Sequence, residues 1–175
     1  MKLATLAMLS VLVSGATFAA QKEIVATEGI SDDVKIRTRI CNSLDSTFTD
    51  WSMARDCFHL GEMYETGQGV KRNYFKAVEF YQKACDYGDK EGCYNLGVMY
   101  VSGRGVRQND FKAVDLFSKT CAGGNADGCY NLGVMYYKGR GVRQSNSEAL
   151  KYYGKACDLK SKEGCEDYAR LNTGK

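Results

Sequence analysis

The chain has no proline and a single histidine among its 175 residues. Runs of β-branched residues are rare. Both features favour helix over sheet, because nothing interrupts a backbone donor ladder and little seeds a strand. No Cys-x-x-Cys pair occurs, and His59 is the only imidazole, so the eight cysteines lack the spacing and the nitrogen ligands of a zinc site. Charge of one sign is also missing. The formal net charge is +3, and the lysines and arginines are scattered along the sequence. There is therefore no electrostatic case for nucleic acid or an acidic membrane surface as partner. No metal, cofactor or catalytic residue is expected.

Long apolar runs are absent except at the N-terminus. There Lys2 precedes a stretch from Leu3 to Val13 broken by Thr5 and Ser10. The run is too short to span a bilayer and reads as a signal peptide. Thr17-Phe18-Ala19 places small residues at −3 and −1, so cleavage is expected after Ala19; cleavage after Ala20 is disfavoured because it puts Phe18 at −3. Export to the periplasm or the medium follows, with no membrane insertion of the mature chain. Eight cysteines in an exported chain point to disulfides.

The remaining sequence repeats every 36 residues. Gly92-Cys93-Tyr94-Asn95-Leu96-Gly97-Val98-Met99-Tyr100 recurs letter for letter from Gly128 to Tyr136. A weaker copy runs from Asp56 to Tyr64, and a truncated one starts at Gly164. The expected organisation is a signal peptide (1–19), an N-terminal helix and linker forming an incomplete leading repeat (20–55), repeats at 56–91, 92–127 and 128–163, and a truncated repeat (164–175). Each unit reads as two helices, A and B. In the second unit Cys93, Leu96, Gly97 and Tyr100 form one stripe at helical spacing, and Gly97 lets a neighbouring helix come close. Gly103-Arg104-Gly105-Val106 ends helix A. Asn109 or Asp110 caps helix B, whose stripe is Ala113, Val114, Phe117 and Cys121. Gly123-Gly124-Asn125 is expected to end it.

Leu-Gly-x-x-Tyr, then Gly-x-Gly-Val, then Lys-Ala, then Lys-Ala before a glycine-bearing loop resembles the Sel-1-like repeat, a tetratricopeptide-type unit. The added Cys-x7-Cys spacing resembles the Helicobacter cysteine-rich proteins. The resemblance covers about Asp56 to Tyr168 and implies an all-α solenoid of helix–turn–helix repeats.

The repeat also selects among the cysteine pairings. Cys85, Cys121 and Cys157 each close a helix B, and Cys93, Cys129 and Cys165 each open the next helix A. These places are neighbours in an antiparallel helix pair. The expected bonds are Cys85–Cys93, Cys121–Cys129 and Cys157–Cys165, leaving Cys41–Cys57. Ser31 or Asp32 can cap a helix through Val34, Ile36 and Ile40 that ends at Cys41 and serves as the leading helix B. Each short loop stabilises by ~2.6 kcal/mol on the chain-entropy model.

In tetratricopeptide-type arrays the A helices line the concave face. Asn95 lies about 200° around the helix from Cys93 at ~100° per residue, with Tyr94 and Val98 beside it. The register-matched sets are Phe58, His59 and Glu62, and Tyr130, Asn131 and Val134. Such a ladder suits an extended peptide, so the leading expectation is a monomeric protein- or peptide-binding module. Arg104, Arg107, Arg140 and Arg143 are expected to form a solvated edge. The resemblance also implies one enzymatic alternative, a β-lactam-binding protein or weak β-lactamase; a second alternative is an exported factor that handles a small cofactor during assembly of another protein. The sequence has no Ser-x-x-Lys, Ser-Asp-Asn or Lys-Thr-Gly, the elements a serine β-lactamase uses.

Overall fold

The computed structural model describes residues 30–42 and 50–174. The leader and its cleavage position lie outside them. Eight helices and no strand occur among the described residues: α1 (Asp32–Cys41), α2 (Asp50–Thr66), α3 (Tyr74–Asp86), α4 (Lys90–Ser102), α5 (Asp110–Ala122), α6 (Ala126–Lys138), α7 (Asn146–Asp158) and α8 (Lys162–Asn172). The architecture is an α-solenoid in which each helix packs chiefly on its sequence neighbours. Helices α2, α4, α6 and α8 are A helices; α1, α3, α5 and α7 are B helices.

Local chemistry sets the boundaries. The B helices α3, α5 and α7 start where Asn73, Asn109 and Ser145 accept hydrogen bonds from the backbone N–H of Lys76, Lys112 and Glu148. The A helices α4, α6 and α8 start under Asp89, Asn125 and Ser161 in the same way. Each cap satisfies a donor that the first turn leaves open. Asn125 therefore caps α6 and does not belong to the end of α5, as its loop composition implied. Ser31 caps α1, accepting from the Val34 N–H. In α1 the buried residues are Val34 and Cys41, while Ile36 is exposed.

The helical stripes are buried as their spacing predicts. Leu96 is 1% exposed, and Cys93, Tyr100, Ala113, Val114, Phe117 and Cys121 are buried with it. Gly97 faces the Phe117 ring so closely that a Cβ would lie 2.7 Å from it, and Gly133 stands in the same relation to Tyr153. Met99 and Met135, outside the predicted stripe, are buried too. Both belong to the hydrophobic core shared by successive helices.

All four disulfides form as expected: Cys41–Cys57, Cys85–Cys93, Cys121–Cys129 and Cys157–Cys165, with Cα–Cα distances of 5.1, 4.5, 4.4 and 4.5 Å. No free cysteine occurs among the described residues. Every bond joins a B helix to the A helix that follows, so each fastens one unit to the next. Four disulfides suit an oxidising, extracytoplasmic compartment. No helix among the described residues is long and apolar enough to cross a membrane.

Candidate functional site

On the A helices, positions two and five residues beyond the cysteine turn away from the core stripe. Phe58, His59, Glu62, Tyr94, Asn95, Val98, Tyr130, Asn131 and Val134 are all half-buried. They form a side of each A helix that is neither core nor open surface.

The first member of each set leans on helix B of its own unit. Phe58 lies against Tyr81 with ring centroids 6.1 Å apart, Tyr94 against Phe117 at 5.9 Å, and Tyr130 against Tyr153 at 5.6 Å. These contacts fix the three rings and leave the hydroxyls of Tyr94 and Tyr130 to bond with the next unit. The second member links units. Asn131 Nδ2 donates to the Tyr94 hydroxyl at 3.1 Å, reaching back one repeat. Asn95 reaches the Tyr81 hydroxyl, which itself donates to Glu65 Oε2 at 2.7 Å. At the ends the pattern closes on other groups. His59 Nδ1 is 3.1 Å from Glu62 Oε2, and the Tyr130 hydroxyl donates to Asp167 Oδ2 at 3.2 Å.

Burial, which disfavours the charged phenolate, pushes the phenols of Tyr94 and Tyr130 above their ordinary range. The side therefore presents neutral phenols and amides at fixed intervals. A cavity of about 190 Å³ lies at its N-terminal end, bordered by Arg37, His59, Glu62 and Met63. Among the described residues no group of three or more His, Cys, Asp or Glu is placed to hold a metal ion.

The arginines behave differently from their sequence reading. Arg104 pairs with Glu65 at 2.9 Å and lies over the Tyr74 ring. Arg140 donates to both Asp110 carboxylate oxygens and to the Val101 carbonyl. Each reaches the preceding unit, so these two are ties between repeats and not a solvated edge. The Arg140 hydrogen bond holds the Asp110 carboxyl below the usual range. Arg107 and Arg143 are exposed, as expected. Sequence spacing missed the ties because their acceptors do not repeat: Val101 stands where the first unit has Glu65, and Asp110 where it has Tyr74.

The model of the Sel1 repeat matches residues 54–89, 90–125 and 126–161. The chain belongs to the Sel1 repeat family. Sel1 repeat proteins generally bind other proteins. Among solved structures, the chain is similar to a Sel1 repeat protein from Oxalobacter formigenes, with 23% identity, a TM-score of 0.64, and coverage of 78% of this chain and 95% of that one. It is also similar to Helicobacter pylori cysteine rich protein B, with 29% identity, a TM-score of 0.57, and coverage of 77% and 93%. The third is c5321, a protective antigen of uropathogenic Escherichia coli, with 26% identity and a TM-score of 0.64 over 83% of this chain. The match spans 34% of that larger protein. No curated protein sequence matches the chain significantly. The matched Sel1 segments begin two residues ahead of the boundaries read at 56, 92 and 128.

Proposed function

We propose that the protein is an exported interaction module that holds an extended protein segment along the half-buried, concave side of its A helices. The observation that carries this reading is the register-matched ladder of half-buried aromatic and amide side chains, with Asn131 bonded to Tyr94 one repeat earlier. An extended backbone repeats its own donors and acceptors; Asn131 spends its Nδ2 on the Tyr94 hydroxyl and the Asp127 carbonyl and keeps its side-chain carbonyl as an acceptor for a backbone N–H. Rings already held by helix B lose little further freedom on binding, which favours affinity. The signal-like N-terminus and the disulfides support an exported location, with the partner met outside the cytoplasm.

The test uses the oxidised mature protein as bait and titrates each retained partner against variants. Replacing Asn95 and Asn131 together by Ala is expected to weaken binding by a few kcal/mol at most, since each lost hydrogen bond is worth ~0.5–1.5 kcal/mol net. The fold should hold, because both side chains lie off the buried stripe, with stability lowered by ~0.5–1.5 kcal/mol for each bond to Tyr94 and Tyr81 that is lost. Unchanged affinity for every retained partner would place the working surface elsewhere.

A further inference from the structure

One edge of the solenoid gathers the cations that the sequence scatters. It is built from the three glycine turns and the first turns of the B helices, at 67–76, 103–112 and 139–148. Successive turns abut there: Gly105 packs on the Tyr74 carbonyl and Gly141 on that of Asp110, leaving no room for a Cβ at either place. Along this edge Lys71, Arg72, Lys76, Arg107, Lys112 and Arg143 are exposed. None of the six has a carboxylate at ion-pair distance among the described residues. The two carboxylates in these segments, Asp110 and Glu148, are already taken by Arg140 and Lys151. Lys76 and Lys112 lie over the rings of Tyr64 and Tyr100 at 5.0 and 5.2 Å, which holds their ammonium groups at the rim.

The same edge carries two phenylalanines in solvent. Phe75 is 76% exposed and Phe111 is 73% exposed, and they occupy equivalent positions one repeat apart. Phe111 borders a cleft of about 640 Å³ together with Tyr100, Arg107, Gln108 and Lys112. That volume receives a few side chains, with cations at its lip and amide groups on its wall.

We infer that this edge is a second docking surface, separate from the A-helix side, and that its occupant is an acidic segment of another protein carrying aromatic or aliphatic residues. Carboxylates meet the six unpaired cations, and an apolar side chain enters the cleft beside Phe111. A membrane surface fits less well. Ser147 replaces the phenylalanine in the third unit, and Phe111 walls a cleft instead of crowning a flat apolar face. A second copy of the chain also fits less well. The first turn of the opposite edge is acidic, with Asp86, Asp89 and Glu91 beside Lys90, but the equivalent turn at 158–163 balances Asp158 and Glu163 with Lys160 and Lys162, so the two edges are not complementary along their length.

The experiment titrates the oxidised protein with a fluorescein-labelled dodecapeptide of alternating Asp and Glu interrupted by two phenylalanines. Controls are the same peptide with Ala for Phe, one with Lys for the acids, a single-stranded oligonucleotide of equal charge, and vesicles with 30% anionic lipid, roughly a physiological anionic surface. The acidic phenylalanine peptide should bind best and weaken as salt is raised. Phe75→Ser with Phe111→Ser installs the residue the third repeat already has there, and should weaken binding at least about tenfold with an unchanged melting curve. Arg107→Glu with Arg143→Glu should do the same, while the Asn95→Ala, Asn131→Ala variant should bind this peptide normally. The inference is overturned if the peptide does not bind, if the phenylalanine variant binds it equally, if the oligonucleotide binds as tightly, or if vesicles take the protein in its place. Sedimentation showing self-association that the same variants abolish would overturn it as well.

Discussion

Single residues show where this chain departs from its own repeat. The residue two beyond the end of α3, α5 and α7 sits in the left-handed region. Gly88 and Gly124 hold it with φ of 90° and 84°, and in the third unit Lys160 holds it with φ of 71°. A side chain there costs ~1–2 kcal/mol that glycine does not incur. Lys160→Gly should raise stability by about 1 kcal/mol after glycine's greater freedom in the unfolded chain is set against it. Thermal denaturation of the two proteins measures this, and a lower melting temperature would contradict it. The buried phenols give a second residue-level expectation. Burial pushes Tyr153 up to about 12 and raises Tyr81 as well, with Tyr81 also donating to Glu65. A raised phenol pKa contributes fully below its unfolded value of 10. Above that the unfolded state sheds its proton first, and the contribution is lost as pH rises through the folded value. Stability should therefore fall between about pH 10 and pH 12, and ultraviolet titration should find these tyrosines ionising with unfolding and not before it.

At the scale of helices, close approach matters more than propensity. Alanine is the better helix former at an exposed site, yet Gly97→Ala places a Cβ 2.7 Å from the Phe117 ring. Overpacking of this kind costs ~1–3 kcal/mol, so urea denaturation should show a destabilised variant despite the gain in propensity. Much of this level was legible in the sequence. The 36-residue register located both helices of each unit, the buried stripe from Cys93 to Tyr100, and the cysteines that face each other across a turn. The same register explains what stayed hidden. A repeat pattern reports what every unit shares. The Arg104 and Arg140 ties use different acceptors in each unit, and the exposed phenylalanines occur in only two of three. Contacts such as Asn131 to Tyr94 depend on how far one layer is offset from the next, which spacing along a single helix does not contain.

For the whole molecule, stability accumulates from neighbour to neighbour, so the ends are the weakest places. The three staples from Cys41 to Cys129 are buried, whereas Cys157 and Cys165 are half-buried on the last two helices. Thiol exchange needs access to sulfur. Limited dithiothreitol followed by alkylation and peptide mapping should label Cys157 and Cys165 first. Early labelling of Cys121 and Cys129 would mean that the array opens from its middle.

The placement of the staples between units, and never within one, also dictates how the molecule would answer a pull on its two ends. Tension would bypass each closed loop through its sulfur–sulfur bond. Beyond the two end segments outside Cys41 and Cys165, only the stretches from Cys57 to Cys85, Cys93 to Cys121 and Cys129 to Cys157 could pay out, each one hairpin of helices and each of equal length. The molecule would lengthen in up to three like steps, each hairpin drawing out to roughly 90 Å, and then stop. A chain built this way acts as a short tether with a hard limit, able to yield without its units ever coming apart from one another.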